Sequence, residues 1–141
     1  MRHYGVTGWK NAGKTGLMER LVHEITARGL SVSTIKHAHH TTDIDQPGRD
    51  SHRHRAAGAR QVLLASPHRW ALMTELRGAA EPPLAALLAQ MAPVDLVLIE
   101  GYKGAPHPKI EAWRAETGKP PLAAGNDTIR AIAAKGGAPD G

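Results

Sequence analysis

The run Gly8-Trp9-Lys10-Asn11-Ala12-Gly13-Lys14-Thr15 constrains this chain more than any other stretch, because it matches G-x-x-x-x-G-K-[ST] at every fixed position. Gly8 and Gly13 permit backbone conformations that turn successive N–H groups inward onto a phosphate. The positive end of the following helix adds to the attraction. Lys14 can reach the β- and γ-phosphates of a nucleoside triphosphate, and the Thr15 hydroxyl can ligate Mg²⁺. Gly8, Lys10, Asn11, Ala12, Gly13, Lys14 and Thr15 therefore form the expected phosphate-binding set.

The surroundings suit such a loop. A short β-prone segment, His3 to Thr7, leads into it, and Gly13 to Arg28 reads as a helix with Leu17, Leu21 and Ile25 on one side and Glu24 and Arg28 on the other. Gly29 ends the helix, and Leu30 to Lys36 predicts a second strand. His37 to Asp50 reads as a long polar loop broken by Pro47 and Gly48. Ser51 to Gly58 predicts a short helix, followed by strands over Gln61 to Ala65 and Trp70 to Thr74 with SPHR as the turn. Pro82 to Met91 is an apolar helix candidate, and VDLVLI, Val94 to Ile99, has the character of a strand buried on both faces. Weaker signals suggest strands at Lys109 to Trp113 and Leu122 to Ala124, and a last helix starting in Thr128 to Ala133.

Strands alternating with helices predict an α/β fold of the three-layer P-loop NTPase kind, a largely parallel sheet with helices on both faces and a site at the carboxyl ends of the strands. One nucleotide-binding domain is expected over residues 1–134. The glycine-rich 135–141, with nothing apolar to dock, is read as a flexible tail.

The buried strand VDLVLI delivers Glu100 and Gly101 at its carboxyl end, where a phosphate loop needs an acid for Mg²⁺ or its waters and a backbone free to pass near the γ-phosphate. Glu100 is thus a metal and catalytic candidate beside Thr15, although it could instead cap a turn. Asp45 is a further metal candidate. Asp50 is a second catalytic candidate, with a helix-capping role about as well supported.

The nine histidines cluster at His37, His39 and His40 and again at His52 and His54. Metal-binding and anion-contacting roles are both open to them; the latter is favoured, because the spacing does not bring His37, His39 and His40 to one side of a strand.

With 141 residues, the chain has room for one core and one site. It has no cysteine, which excludes disulfides, zinc–cysteine sites and a thiol nucleophile. Lys and Arg number 18 against 13 Asp and Glu, so an anionic partner is favoured. The basic residues are scattered and aromatic residues make up 4%, so a stacking platform for nucleic acid is not expected. No apolar run approaches a membrane span or a secretory leader, and the expected location is the cytoplasm.

Several segments together resemble the molybdopterin-guanine dinucleotide biosynthesis protein B (MobB) family: GWKNAGKT, IKHAHH, DIDQPGRDSHRHRAAGA, RWALMTE and LVLIEGYKGAPHPKIE. The likeness runs to about Ala133. It implies a GTP-binding protein with weak GTPase activity, dependent on Mg²⁺, forming a homodimer whose sheets join across the interface. It also implies a partner, the guanylyltransferase that attaches GMP to molybdopterin; molybdopterin itself is a candidate contact that the sequence leaves open.

By matching position, Gly8, Asn11, Gly13, Lys14 and Thr15 carry over as the phosphate site and Glu100 as the acid beside Mg²⁺. Asp45, Gly48, Asp50 and Arg55 fall in the family's characteristic loop, and Trp70 to Glu75 are expected to be structural or at the dimer interface. An Asn-Lys-x-Asp guanine motif is not evident. The late loop Gly125-Asn126-Asp127 offers Asp127 as an acceptor for guanine N1 and N2. Two alternatives use the same loop: a small-molecule kinase with Arg49, Arg53 and Arg55 on a lid, and a metallochaperone GTPase carrying metal on the histidine cluster.

Overall fold

A computed structural model describes residues 1–38 and 50–134. In chain order the elements are β1 (His3–Thr7), α1 (Lys14–Ala27), β2 (Val32–Lys36), α2 (Asp50–Ala57), β3 (Gln61–Ala65), β4 (Trp70–Thr74), α3 (Leu84–Ala89), β5 (Leu96–Glu100), β6 (Lys109–Trp113) and β7 (Ile129–Ala134), with 3-10 turns at Ala115–Thr117 and Leu122–Gly125. They divide between two compact units, Met1–His39 with Pro93–Gly141, and His40–Ala92.

In the first unit five strands form a sheet in the order β2-β5-β1-β6-β7, with every neighbouring pair parallel. The expected α/β class with a parallel sheet is what the chain adopts, and α1 packs on one face. Val6, Leu98 and Met18 form the centre of that contact, joined by Tyr4, Leu17, Leu21, Ile25 and Ile110. The apolar run of β5 is buried as its composition predicts: Val97, Leu98 and Ile99 are at most 2% exposed. Each such side chain contributes roughly 1.5–3 kcal/mol through burial.

β1 sits at the middle of the sheet. Its last residues face neighbours on both sides, Val6 level with Glu100 of β5 and Thr7 with Glu111 of β6. At the amino end, Ser31 and Asp95 lock β2 to β5: the Ser31 N–H and hydroxyl both donate to Asp95 Oδ2, at 2.8 and 3.0 Å, and the Asp95 N–H donates to Ser31 Oγ at 2.9 Å.

The face opposite α1 is unusually polar for a core. Lys109 and Glu111 are fully buried, and His107 and Thr7 nearly so. The Lys109 ammonium donates to the carbonyls of Ala105 and His107 and to Thr128 Oγ1, three acceptors for its three protons. Glu111 accepts from the N–H groups of Leu122 (2.7 Å) and Ala123 (2.9 Å). That pairing explains a difference from the sequence reading: Leu122–Gly125 is a 3-10 turn, entered from Pro121 and capped by a carboxylate, and not a strand. The last element differs too. Ile129–Ala134 is a strand paired with β6, where β-branched Ile129 and Ile132 suit a sheet and tertiary pairing outweighs the helical reading.

In the second unit β3 and β4 form an antiparallel hairpin, closed by the predicted Ser66–Arg69 turn through Ser66 N–H to Arg69 O at 2.9 Å. Val62 and Met73 face inward and are buried. Strand alternation turns Leu63, Trp70 and Leu72 to the other face, where they are 59%, 69% and 47% exposed. Arg55 Nη1 donates to Glu75 Oε1 at 2.8 Å, which fixes α2 to the end of β4 and gives both residues a structural duty.

Candidate functional site

The loop between β1 and α1 starts from a crowded position. Gly8 has φ +152°, and a Cβ there would lie 2.5 Å from the Ala112 carbonyl oxygen of β6. Asn11 and Gly13 are left-handed at φ 65° and 98°, and a Cβ on Gly13 would lie 2.9 Å from the Arg114 guanidinium. Gly8 is therefore required by close approach of the β6 backbone as well as by its angle, and Gly13 by its backbone angle. The Ala12 N–H donates to Trp9 O at 3.1 Å, closing the turn.

α1 then begins with no side-chain cap and no acidic residue in its first turn. Its first intrahelical bond is Leu17 N–H to Gly13 O, so the N–H groups before Leu17 at the head of the helix have no acceptor within it. A helix start of this kind, opening from a glycine loop, can cradle a phosphate.

Charge reinforces it. Lys14 Nζ donates to Gly8 O at 3.1 Å, folded over the loop. Its pKa is lowered, first by burial, then by Lys103 and Lys36, while Glu100 acts in the opposite sense. Three ammonium groups and one carboxylate thus share a small volume at the carboxyl ends of β2, β5 and β1, a field suited to a multiply charged anion. Lys36 ends β2 level with Glu100. Gly101 follows at φ +101°, with a hypothetical Cβ 2.8 Å from His37 Cβ, and His37 stacks on Tyr102 at 4.2 Å. Thr15 is the second residue of α1 and is exposed.

The structure thus gathers Gly8, Lys10, Asn11, Ala12, Gly13, Lys14, Thr15, Glu100 and Gly101 at one end of the sheet. Asp127 is not among them. It precedes β7, whose first residue Ile129 is level with Lys109 and Gly5, so it sits toward the amino ends of the parallel strands. Asp50 opens α2 in the other unit, where its charge suits the helix start. Asp43, Asp45, Gly48, Arg49, His39 and His40 lie outside the described residues, as does 135–141. Among the described residues no group of three metal-ligating side chains occurs, and no helix is long and apolar enough to cross a membrane.

The sequence reading passed over the segment after β6. Arg114 reaches the phosphate loop, and Trp9 and Trp113 donate their indole N–H groups to the carbonyls of Pro120 (2.9 Å) and Lys119 (3.1 Å). Lys103 and Lys119 place their ammonium groups 5.2 and 5.4 Å from the Trp9 ring centre. No motif marks Trp113, Arg114 or Lys119; the signal available was that β6 would be the neighbour of β1.

Comparison with known proteins agrees with this arrangement. The profile of the family described as molybdopterin guanine dinucleotide synthesis protein B matches residues 4–135. The chain belongs to that family. Among MobB-related proteins, the molybdopterin-guanine dinucleotide biosynthesis adapter protein of Haemophilus influenzae is 45% identical over 116 residues, covering 82% of this chain and 65% of the relative. The protein of the same name from Escherichia coli is 43% identical over 115 residues, covering 80% and 66%. The chain therefore spans just under two thirds of the length of these relatives. Among solved structures, Bacillus subtilis MobB superposes with a TM-score of 0.71 at 28% identity, and a MobB homolog from Bacillus stearothermophilus with 0.67 at 31%. Each superposition covers 95% of this chain and 78% of the other.

Proposed function

We propose that this chain is a GTP-binding accessory protein of molybdenum cofactor assembly, serving the guanylyltransferase that joins GMP to molybdopterin in the cytoplasm. The observation that carries the nucleotide part is the uncapped start of α1, reached through Gly8 and Gly13 and surrounded by Lys14, Lys36 and Lys103. The pathway rests on membership of the MobB family and on the names of its relatives.

Mg²⁺ prefers oxygen ligands, and the Thr15 hydroxyl with the Glu100 carboxylate is a set of that kind. Bound there with the triphosphate, the ion would neutralise phosphate charge. Glu100 would act on its waters, and Lys14 would hold the β- and γ-phosphates.

Calorimetry with Mg²⁺ tests the reading. GTP should bind more tightly than ATP, and Lys14→Ala should abolish binding. Equal affinity for the two nucleotides would remove the guanine assignment, and binding by Lys14→Ala would remove the loop.

The homodimer is supported by the hairpin. A two-stranded hairpin is marginal alone, and Leu63, Trp70 and Leu72 form an apolar face that a second copy would cover. Leu63→Lys with Leu72→Lys should shift the mass measured by light scattering from dimer to monomer; an unchanged mass would place the interface elsewhere.

A further inference from the structure

We infer that Glu116, in the turn that follows β6, is the residue that distinguishes guanine from other bases. The inference rests on the triphosphate reading above and adds the base subsite to it. β6 is hydrogen-bonded to β1 in parallel, so its carboxyl end emerges beside the phosphate loop, and Arg114 touches Gly13 there. Between the two segments opens a groove of about 510 Å³, with Trp9, Lys10 and Asn11 on one side and Arg114, Glu116 and Lys119 on the other. That volume is in the range of roughly 300–1,000 Å³ for small-molecule sites.

The groove shares its wall with the phosphate cradle, which is where the base of a nucleotide held by its phosphates must lie within reach. Its chemistry suits a purine. Arg114 offers a planar guanidinium on which a base can stack. Glu116 is exposed, and among the described residues no hydrogen bond or ion pair engages its carboxylate. The groove supplies no other carboxylate.

Guanine presents two adjacent donors on its Watson–Crick edge, N1–H and the N2 amine, and a carboxylate accepts both at once. Adenine sets the N1 lone pair against the same carboxylate and is repelled. Asp127, the acid that the sequence suggested for this duty, sits toward the other end of the strands.

The test is calorimetric, with Mg²⁺ present, on wild type, Glu116→Gln and Asp127→Asn. Glu116→Gln should bind GTP roughly tenfold to hundredfold more weakly, as expected for a lost bidentate pair, while ATP, no longer opposed by the carboxylate, should bind more tightly. It should gain affinity for xanthosine triphosphate, whose C2 carbonyl accepts from the new amide. Asp127→Asn should match wild type. A second readout needs no variant: inosine triphosphate, which lacks the N2 amine, should bind wild type more weakly than GTP. An unchanged GTP-to-ATP ratio in Glu116→Gln, or equal wild-type affinity for GTP and inosine triphosphate, overturns the assignment while leaving the triphosphate site standing. Wild type that binds no triphosphate overturns the proposed function and this inference together.

Discussion

Acid should loosen the polar back face of the sheet through a single histidine. His107 is 6% exposed, its Nε2 has no hydrogen-bond partner, and its ring lies 5.7 Å from that of His3. Burial, then the charge of Lys109 and then His3, push its pKa down from 6.5 to about 4. In the folded protein His107 is therefore neutral between those limits, whereas in the unfolded chain it takes up a proton below 6.5. Over this window the unfolded state binds more protons, so stability is complete above pH 6.5 and falls as pH drops toward 4.

A shift of this size, from 6.5 to about 4, sets an upper bound of about 3 kcal/mol, reduced to about 1–2 kcal/mol by solvent screening. For a chain of this length that is a fall in Tm of about 4–8 °C. Thermal unfolding followed by circular dichroism at pH 7.5, 6.0 and 4.5 should show the fall in wild type. His107→Leu, which fills similar space without a titrating group, should show a shallower one by that amount. Parallel pH profiles for the two proteins would refute the assignment of the acid sensitivity to His107.

Glu111→Ala should destabilise by about 2–4 kcal/mol, because it strands the N–H groups of Leu122 and Ala123, and Glu111→Gln by less, since the amide oxygen still accepts; denaturant melts would measure both. Gly101→Ala meets a φ of +101° and His37 Cβ at 2.8 Å, so it should lower both stability, by about 1–3 kcal/mol, and nucleotide affinity. Gly104→Ala, with open space at its Cβ, is the matched control, and equal behaviour of the two would contradict the crowding argument.

The elements that the sequence made legible are those whose signal is local, strong or weak. His3–Thr7, Gln61–Ala65, Trp70–Thr74 and Lys109–Trp113 appear at the expected residues, and α1 within one residue at each end. The glycine loop between β1 and α1 was readable because its fixed positions fall within one short run of residues. What escaped depends on which strands become neighbours. Arg114 and Glu116 carry no motif and come beside the loop only because β6 flanks β1. Asp127 looked suitable because Asn126 and Gly125 mark a turn, but a parallel strand begins at the far end of the sheet from where the phosphate loop opens. Leu122–Gly125 was misread because its stabilising partner, Glu111, lies on another element.

The paired indole bonds to Lys119 and Pro120 have an optical consequence. Trp9 belongs to the phosphate loop and Trp113 to the end of β6, and both are tethered to the same short stretch of main chain. A ligand that tightens the loop must pull on that tether, and the two chromophores ride on it. The third tryptophan, Trp70, belongs to the other compact unit. The molecule thus carries a built-in spectroscopic gauge of its own loop, readable in tryptophan emission without any attached dye.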